Sequence, residues 1–400
     1  MHSTPTRPIY LDHAATTRPT AEVVDTCARV MEDGFGNPSS SHGFGRAARR
    51  RLDDAHEFLR GSVGAASLVL TSGGTEADLL GVVGAATARP PGRVLAAASD
   101  HVAVLALRPL LAARRHELVE LPVTADGDVD PQVLFDKLGQ DVRVVSILHG
   151  HNELGTLTRL DELVELVRRV APDAHVHVDL VQSYGKIDFD LDLADVDSIA
   201  VSGHKLHGPR GVGFLALSSK AKLAPLQTGG GQEQGLRGGT ENVAGAAGLA
   251  CAAEWMLSHL AEHAAHARAL CERALAQVRA AFPDAHRLGA EGRRLPHILS
   301  LRIPGVIGHT LQERCDERGV AFSTGAACHS GQDTESHVMR AIGMSKAAAR
   351  EVVRISVGPH TTNDEIDAAM RILCEEAEML LDLAPSPRGA RLRTGHDSHG

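Results

Sequence analysis

The sequence predicts an α/β protein: a large domain on a mainly parallel sheet, followed by a smaller α+β domain. Two patterns carry that expectation. Between about residues 67 and 217, near-continuous apolar, β-rich runs alternate with helical stretches. Strands covered by helices on both faces read this way, because neither face needs polar residues. Beyond about residue 243 the pattern changes to long alanine-rich helix with isolated strands, as in an α+β unit. The 400 residues, 43% of them hydrophobic, suffice for two cores but not three.

Taken in order, strands are expected at 67–71, 93–98, 142–148, 176–180, 198–201 and 211–217. Residues 243 to 281 read as one long helical region, since alanine is the best helix former. Two more strands follow near 298–303 and 352–357. Thr362 and Glu365 have the spacing of a capping box, and Ile366, Met370, Leu373, Ala377 and Leu380 then line one face of a terminal helix. The Pro-, Ser-, Gly- and Arg-rich stretch 384–400 has too little apolar surface to bury and is expected to be disordered. No internal repeat is evident.

Charge and cysteine usage narrow the function classes. The formal charge is −9 and no dense basic run precedes the tail, which argues against a nucleic-acid partner. No long apolar segment could span a bilayer, and the first residues lack the apolar core of a signal peptide. The expected location is the cytoplasm. The six cysteines (27, 251, 271, 315, 328 and 374) contain no C-x-x-C pair, so neither a zinc ribbon nor a disulfide framework is expected. Cys27, Cys251, Cys271 and Cys374 fall in helical patterns and read as small core residues.

The chemistry concentrates around Lys205, in the run Ser202-Gly-His-Lys205 at the end of an apolar strand and before a glycine-rich turn. Alone, a strand-end lysine is a solvated rim charge. Here Ser202 and His204 add donors of the kind a phosphate takes. Another strand ends in Asp179 and Gln182. Upstream, Thr71-Ser-Gly-Gly-Thr-Glu76 joins a strand to a helix, where glycines and Thr75 expose backbone N–H groups at a positive helix end. A lysine for an imine, a carboxylate for a ring nitrogen and donors for a phosphate are together what pyridoxal 5′-phosphate requires.

From Tyr10 to about Leu381 the chain resembles the NifS/IscS-type cysteine desulfurases of the class V aminotransferase family, with fold-type I architecture. The matching runs begin with Tyr10-Leu-Asp-His-Ala-Ala-Thr-Thr17, Phe35-Gly-Asn-Pro-Ser-Ser40, Thr71–Glu76 and His149-Gly-His-Asn-Glu-Leu-Gly155. They continue with Asp179–Gln182, Ser202–Lys205, Gly229-Gly-Gly-Gln-Glu233, Gly239-Thr-Glu-Asn242, Ser323-Thr-Gly-Ala-Ala-Cys328 and Arg354-Ile-Ser356. Each is weak alone; their shared order is specific. The resemblance implies a large domain over 16–258, and a small domain made of 1–15 and 259–383 that carries the cysteine loop.

It also implies roles. Lys205 anchors the cofactor covalently and is the base for the substrate Cα. Asp179 keeps the ring nitrogen protonated, Gln182 bonds the phenolic oxygen, and His101 stacks on the ring and moves protons. Gly74, Thr75, Ser202 and His204 hold the phosphate, joined by Thr240 from a second subunit, so a homodimer with shared sites is expected. Asn152 lies between cofactor and substrate carboxylate, and Arg354 clamps that carboxylate, a task suited to its planar fork. Cys328, in a run of small residues beside His329, is the nucleophile; a nearby cation raises a thiol's thiolate fraction.

Three positions depart from the family pattern. Leu180 stands for a small alanine, His151 for an asparagine, and Pro359-His360 where the family generally has an arginine and a variable residue. Leu180 is expected to point away from Asp179 and alter packing only. His259, His263 and His266 share a helix face with metal-ligand spacing, but no carboxylate or thiol matches them, and a solvated face is expected.

The expected activity is removal of sulfur from L-cysteine, giving L-alanine and a Cys328 persulfide for an acceptor protein. The pathway stays open among iron–sulfur cluster assembly, tRNA thiolation, thio-cofactors and secondary metabolites. The Gly325-Ala-Ala-Cys-His-Ser330 loop also resembles selenocysteine lyases, which is the alternative activity. A non-catalytic sulfur-relay partner and an ordinary transaminase are weaker readings, given Lys205, Asp179, His101, Cys328 and Arg354 together.

Overall fold

The computed structural model describes residues 7–188, 195–324 and 336–383. At its centre seven strands lie side by side in the order Ser67–Thr71, Gly213–Leu217, Ser198–Ser202, His175–Asp179, Val142–Leu148, Arg93–Ala97, Glu117–Leu121. Neighbours are parallel except around Gly213–Leu217, which is antiparallel to both of its neighbours. This is the mainly parallel α/β sheet that the alternation predicts. Its strands end within two residues of the expected positions. His175–Asp179 and Ser198–Ser202 are buried along their whole length, which is why their sequence is continuously sheltered rather than alternating. Glu117–Leu121 was not foreseen. It is an edge strand with Glu117 and Glu120 exposed, and its half-polar pattern hides it.

The helical region expected over 243–281 breaks in two. Val243–Ser258 packs on the helices Ala21–Asp33 and Gly43–Ser62, within the core that includes the large sheet. Leu260–Ala281 packs on the terminal helix Asn363–Leu383 in a second core, and the two axes diverge by 74°. Neither Gly nor Pro marks the break at His259. It falls where the chain leaves one core for another, a tertiary cause that helix propensity does not record. The terminal helix has its capping box: Glu365 Oε2 accepts from the Thr362 N–H at 2.8 Å, and Thr362 Oγ1 from the Glu365 N–H at 3.2 Å. The stretch 384–400 lies outside the described residues.

The second sheet is antiparallel, in the order Ser323–Thr324, Val352–Ser356, Ile298–Arg302, His286–Arg287. The chain's beginning joins the two units. Ile9–Tyr10 pairs with Val320–Ala321, and the Ala14 N–H donates to Ser356 Oγ. A few residues later the Thr17 N–H donates to the His204 carbonyl beside Lys205. No single helix among the described residues is long and apolar enough to cross a membrane.

Below the sheet's carboxyl end, helix Gly74–Leu79 runs into a π-helical turn at Leu80–Gly84. Gly81 in that turn lies against His177, and a Cβ there would sit 2.4 Å from His177 Nδ1. The imidazole cannot retreat, because Ser198 Oγ holds one nitrogen at 2.8 Å and Asp78 Oδ1 the other at 3.1 Å. Gly81→Ala is therefore expected to destabilise the fold by about 1–3 kcal/mol. A denaturant midpoint equal to that of the parent protein would show that the contact relaxes freely.

Candidate active site

In open α/β sheets, ligands bind beyond the carboxyl ends of the parallel strands. A cavity of about 250 Å³ lies there, lined by Gly74, Thr75, His101, Asn152, Asp179, Gln182, Ser202, His204 and Lys205, with Asp78, Leu148 and Val181. The first nine were singled out in the sequence. Asp78 was not, although it lies one helical turn beyond Gly74 and Thr75 and so shares their face.

One end of the cavity is built for an anion. Gly73 has φ +151° and ψ −173°, a conformation open to glycine alone, and a Cβ there would sit 3.6 Å from Ser202 Oγ. At Gly74 a Cβ would lie 2.7 Å from Val181 Cγ2. No side chain caps the helix that begins here, so its first N–H groups face a cradle flanked by the hydroxyls of Thr75 and Ser202. His204 lies alongside, 3.1 Å from Thr16 Oγ1, and burial and then Lys205 pull its pKa down to about 4, so it acts as a neutral group.

The other end handles protons. Lys205 Nζ donates to the Ala14 and Ala15 carbonyls, each at 2.7 Å. Burial, and then Arg354, lower its pKa to about 8, leaving more free amine near neutral pH than an exposed lysine has. Asp179 Oδ1 accepts from the Val181 N–H at 2.7 Å. Burial, helped by Asp78, raises its pKa to about 8. A carboxyl so placed is held ionised only by a cation against it, and a protonated ring nitrogen is such a cation. His101 Nδ1 accepts from the Ala103 N–H at 3.2 Å, which fixes its proton on Nε2; burial and then Lys205 keep the ring neutral, with a pKa of about 4. Gln182 donates from Nε2 to the Ala14 carbonyl at 2.8 Å. A cradle for an anion, a buried acid for a ring nitrogen and a depressed lysine fit pyridoxal phosphate.

Arg354 belongs to the small sheet. Its Nη1 donates to the Asn152 carbonyl at 2.9 Å and its Nη2 to Asp12 Oδ1 at 2.7 Å, while Nε has no partner among the described residues. The expected fork is thus partly engaged by a carboxylate of the chain itself, a feature the sequence did not suggest. Thr240 is exposed and does not line the cavity of its own chain. Cys328 lies outside the described residues. Of the described cysteines, Cys271 and Cys315 are buried, and burial pushes both thiols up to about 12.

The departures have local explanations. Leu180 is fully buried in the large core. His151 is buried and donates from Nε2 to the Ser99 carbonyl at 3.0 Å, while Nδ1 accepts from the Glu153 N–H. His360 stacks on Trp255 with ring centres 5.5 Å apart. His259 and His263 stack on each other, and His266 Nε2 bonds the Thr361 carbonyl. No group of ligands able to hold a metal ion occurs among the described residues.

The aminotransferase class-V family matches residues 9–369. The cysteine desulfurase NifS of Azotobacter vinelandii is 36% identical over 383 residues, which cover 94% of each chain. A cysteine desulfurase of Cereibacter sphaeroides is 37% identical over 94% of this chain and 97% of its own. Among solved structures, a NifS-like protein superposes with a TM-score of 0.86 at 30% identity, covering 93% of this chain and all of that one.

The enclosure of Lys205 is measurable. Amine labelling of the cofactor-free protein at graded pH, read by mass spectrometry, is expected to give the Lys205 peptide a midpoint near 8, against the ordinary value of 10.5. A midpoint at the ordinary value would show that the amine is solvated and that its burial confers no extra nucleophilicity.

Proposed function

This chain belongs to the class-V aminotransferase family, and we propose that it is a pyridoxal-phosphate-dependent cysteine desulfurase, which takes sulfur from L-cysteine and leaves L-alanine. The observation that carries this reading is the convergence of Lys205, Asp179, His101 and Gln182 with the anion cradle in one cavity. Near-full-length relatives named cysteine desulfurase support the substrate.

Bound in the cavity, pyridoxal phosphate supplies an electron sink conjugated to the substrate's Cα. Gly74, Thr75, Ser202 and His204 hold its phosphate, and Asp179 holds the proton on its ring nitrogen. Gln182 donates to the phenolic oxygen. Lys205 would anchor the group covalently and serve as the base for the substrate's Cα proton, a task that its lowered pKa suits. His101, its proton on Nε2, would stack on the ring and move protons there. Asn152 and Arg354 orient the substrate carboxylate, which replaces the Asp12 carboxylate at Arg354 Nη2.

Cys328 is the nucleophile. Its thiolate attacks the substrate sulfur, so an S–S bond forms as the Cβ–S bond breaks. The electron pair left on the carbon side ends in a C–H bond of alanine, and no outside oxidant or reductant enters. The placement of the neighbouring strand supports this role. Ser323 pairs with Arg354, and Thr324 is only four residues before Cys328, a reach of at most about 14 Å. The persulfide then passes to an acceptor protein, such as an iron–sulfur scaffold.

The protein works as a cytoplasmic homodimer, with Thr240 completing the partner's phosphate site. Exposed Phe35 and Phe44, with ring centres 5.3 Å apart, form an apolar patch suited to a second copy. The large domain spans 16–258, and 1–15 with 259–383 form the small one.

Cys328→Ala is expected to lose sulfide and alanine release from L-cysteine by about a hundredfold or more, while L-cysteine still perturbs the cofactor's absorbance. Brisk L-selenocysteine cleavage by both proteins, with no thiol-labile ³⁵S on the Cys328 peptide, would replace the desulfurase reading with the selenocysteine lyase. Shared sites have their own test. Lys205→Ala and Thr240→Ala subunits, each inactive alone, should regain activity when mixed, since one hybrid site carries neither lesion. No recovery after proven subunit exchange would remove Thr240 from the site.

A further inference from the structure

We infer that Lys186 is a positioning residue of the cofactor site, holding the oxygen of the Gln182 amide so that its N–H end meets the cavity as a strengthened donor. The inference rests on the pyridoxal phosphate reading and adds to it a residue outside the cavity wall. Gln182 and Lys186 lie four residues apart in the turn after strand His175–Asp179. Lys186 is only 7% exposed. Its Nζ lies 3.4 Å from Gln182 Oε1 and 3.2 Å from His297 Nε2.

The two ends of the Gln182 amide are set independently. The Ala14 carbonyl, 2.8 Å away, is only an acceptor, so nitrogen must face it. Lys186 donates to the oxygen at the other end, as the ammonium or as the free amine that burial, and then Lys205, favour by lowering its pKa to about 7. Both partners demand one orientation, which leaves the second N–H of Nε2 for the cavity. A proton donated to the amide oxygen draws charge toward that oxygen and sharpens the N–H at the other end, most strongly when the donor is the ammonium.

No carboxylate competes for the Lys186 N–H groups, although its cationic neighbour Lys205 disfavours the ammonium. Among the described residues, the groups interacting with Lys186 are His297, His13, His204, His207 and Lys205, every one neutral or cationic. A buried amine without a counter-ion is costly, and a leucine or methionine would fill the space at lower cost. His297 completes the arrangement from the other unit. It immediately precedes strand Ile298–Arg302, and its carbonyl accepts from the Val357 N–H. The donor at the cofactor is thereby tied to the sheet that carries Arg354.

The test uses the full chain, stripped of cofactor and reloaded, with binding followed by the fluorescence of its one tryptophan. Lys186→Met is expected to bind pyridoxal 5′-phosphate about three- to tenfold more weakly, yet to bind 3-deoxypyridoxal 5′-phosphate, which lacks the phenolic oxygen, as the parent does. The pH at which the bound cofactor's visible absorbance titrates should rise, because a weaker donor stabilises the phenolate less. Lys186→Arg, which keeps a donor, should recover part of both effects. Equal losses for the two ligands, or no loss for either, would overturn the inference. If Lys186→Met fails to fold, His297→Phe, which removes the acceptor that fixes Lys186, should show the same selectivity, and equal losses there would overturn it too. A parent protein that does not load pyridoxal phosphate would refute the cofactor reading itself, a result distinct from these.

Discussion

The Ala14 carbonyl accepts from both Lys205 Nζ and Gln182 Nε2, and the site is organised around that oxygen. It sits on a short segment fixed at one end to Ser356 in the small sheet and at the other to His204 beside Lys205. Each hydrogen bond from a charged donor contributes about 1.5–3 kcal/mol, more than a neutral pair. The segment thus sets how the small sheet meets the carboxyl edge of the large one. Shifting it would move Lys205, Gln182 and Arg354 together, since Asp12 in the same segment holds Arg354.

Burial around that seam gives the groups their chemistry. Lys205 and Lys186 are driven toward the free amine, Asp179 and Asp78 toward the neutral acid, and His101 and His204 toward neutral imidazole. Each shift has desolvation as its first cause, so each reflects a charge the fold shelters poorly. A protein selected only for stability would not gather so many. Their concentration at one sheet edge is the physical mark of a functional site, independent of any resemblance.

Much of this was legible in the sequence, for a definable reason. Strands such as Val142–Leu148, sheltered on both faces, announce themselves as apolar runs, and the site residues fall at the ends of those runs. Lys205 and Asp179 could therefore each be placed at the end of a buried strand before any coordinates. The edge strand Glu117–Leu121 was not legible, because exposure erases its pattern. Nor was the 74° break at His259, where two cores compete for one helical stretch. Asp12 and Asp78 were missed because their partners are far away in sequence; Lys186 lies only four residues from Gln182, but its other partner, His297, is 111 positions away. The Asp12–Arg354 pair spans 342 positions, and no local spacing encodes it.

That pair also bears on how the site can discriminate. An arginine buried without a counter-ion would be costly, and Asp12 meets that cost in the substrate-free protein. On the desulfurase reading, an amino-acid carboxylate takes the place of the Asp12 carboxylate, so Arg354 exchanges one like partner for another and its desolvation is not repeated at each turnover. An amine without a carboxylate cannot make the exchange and would leave Asp12 where it is. Because Asp12 precedes Ala14 by two residues, its release acts on the same segment that grips Lys205. On that reading, the group that takes the carboxylate and the group that takes the amine are held by one short stretch of backbone.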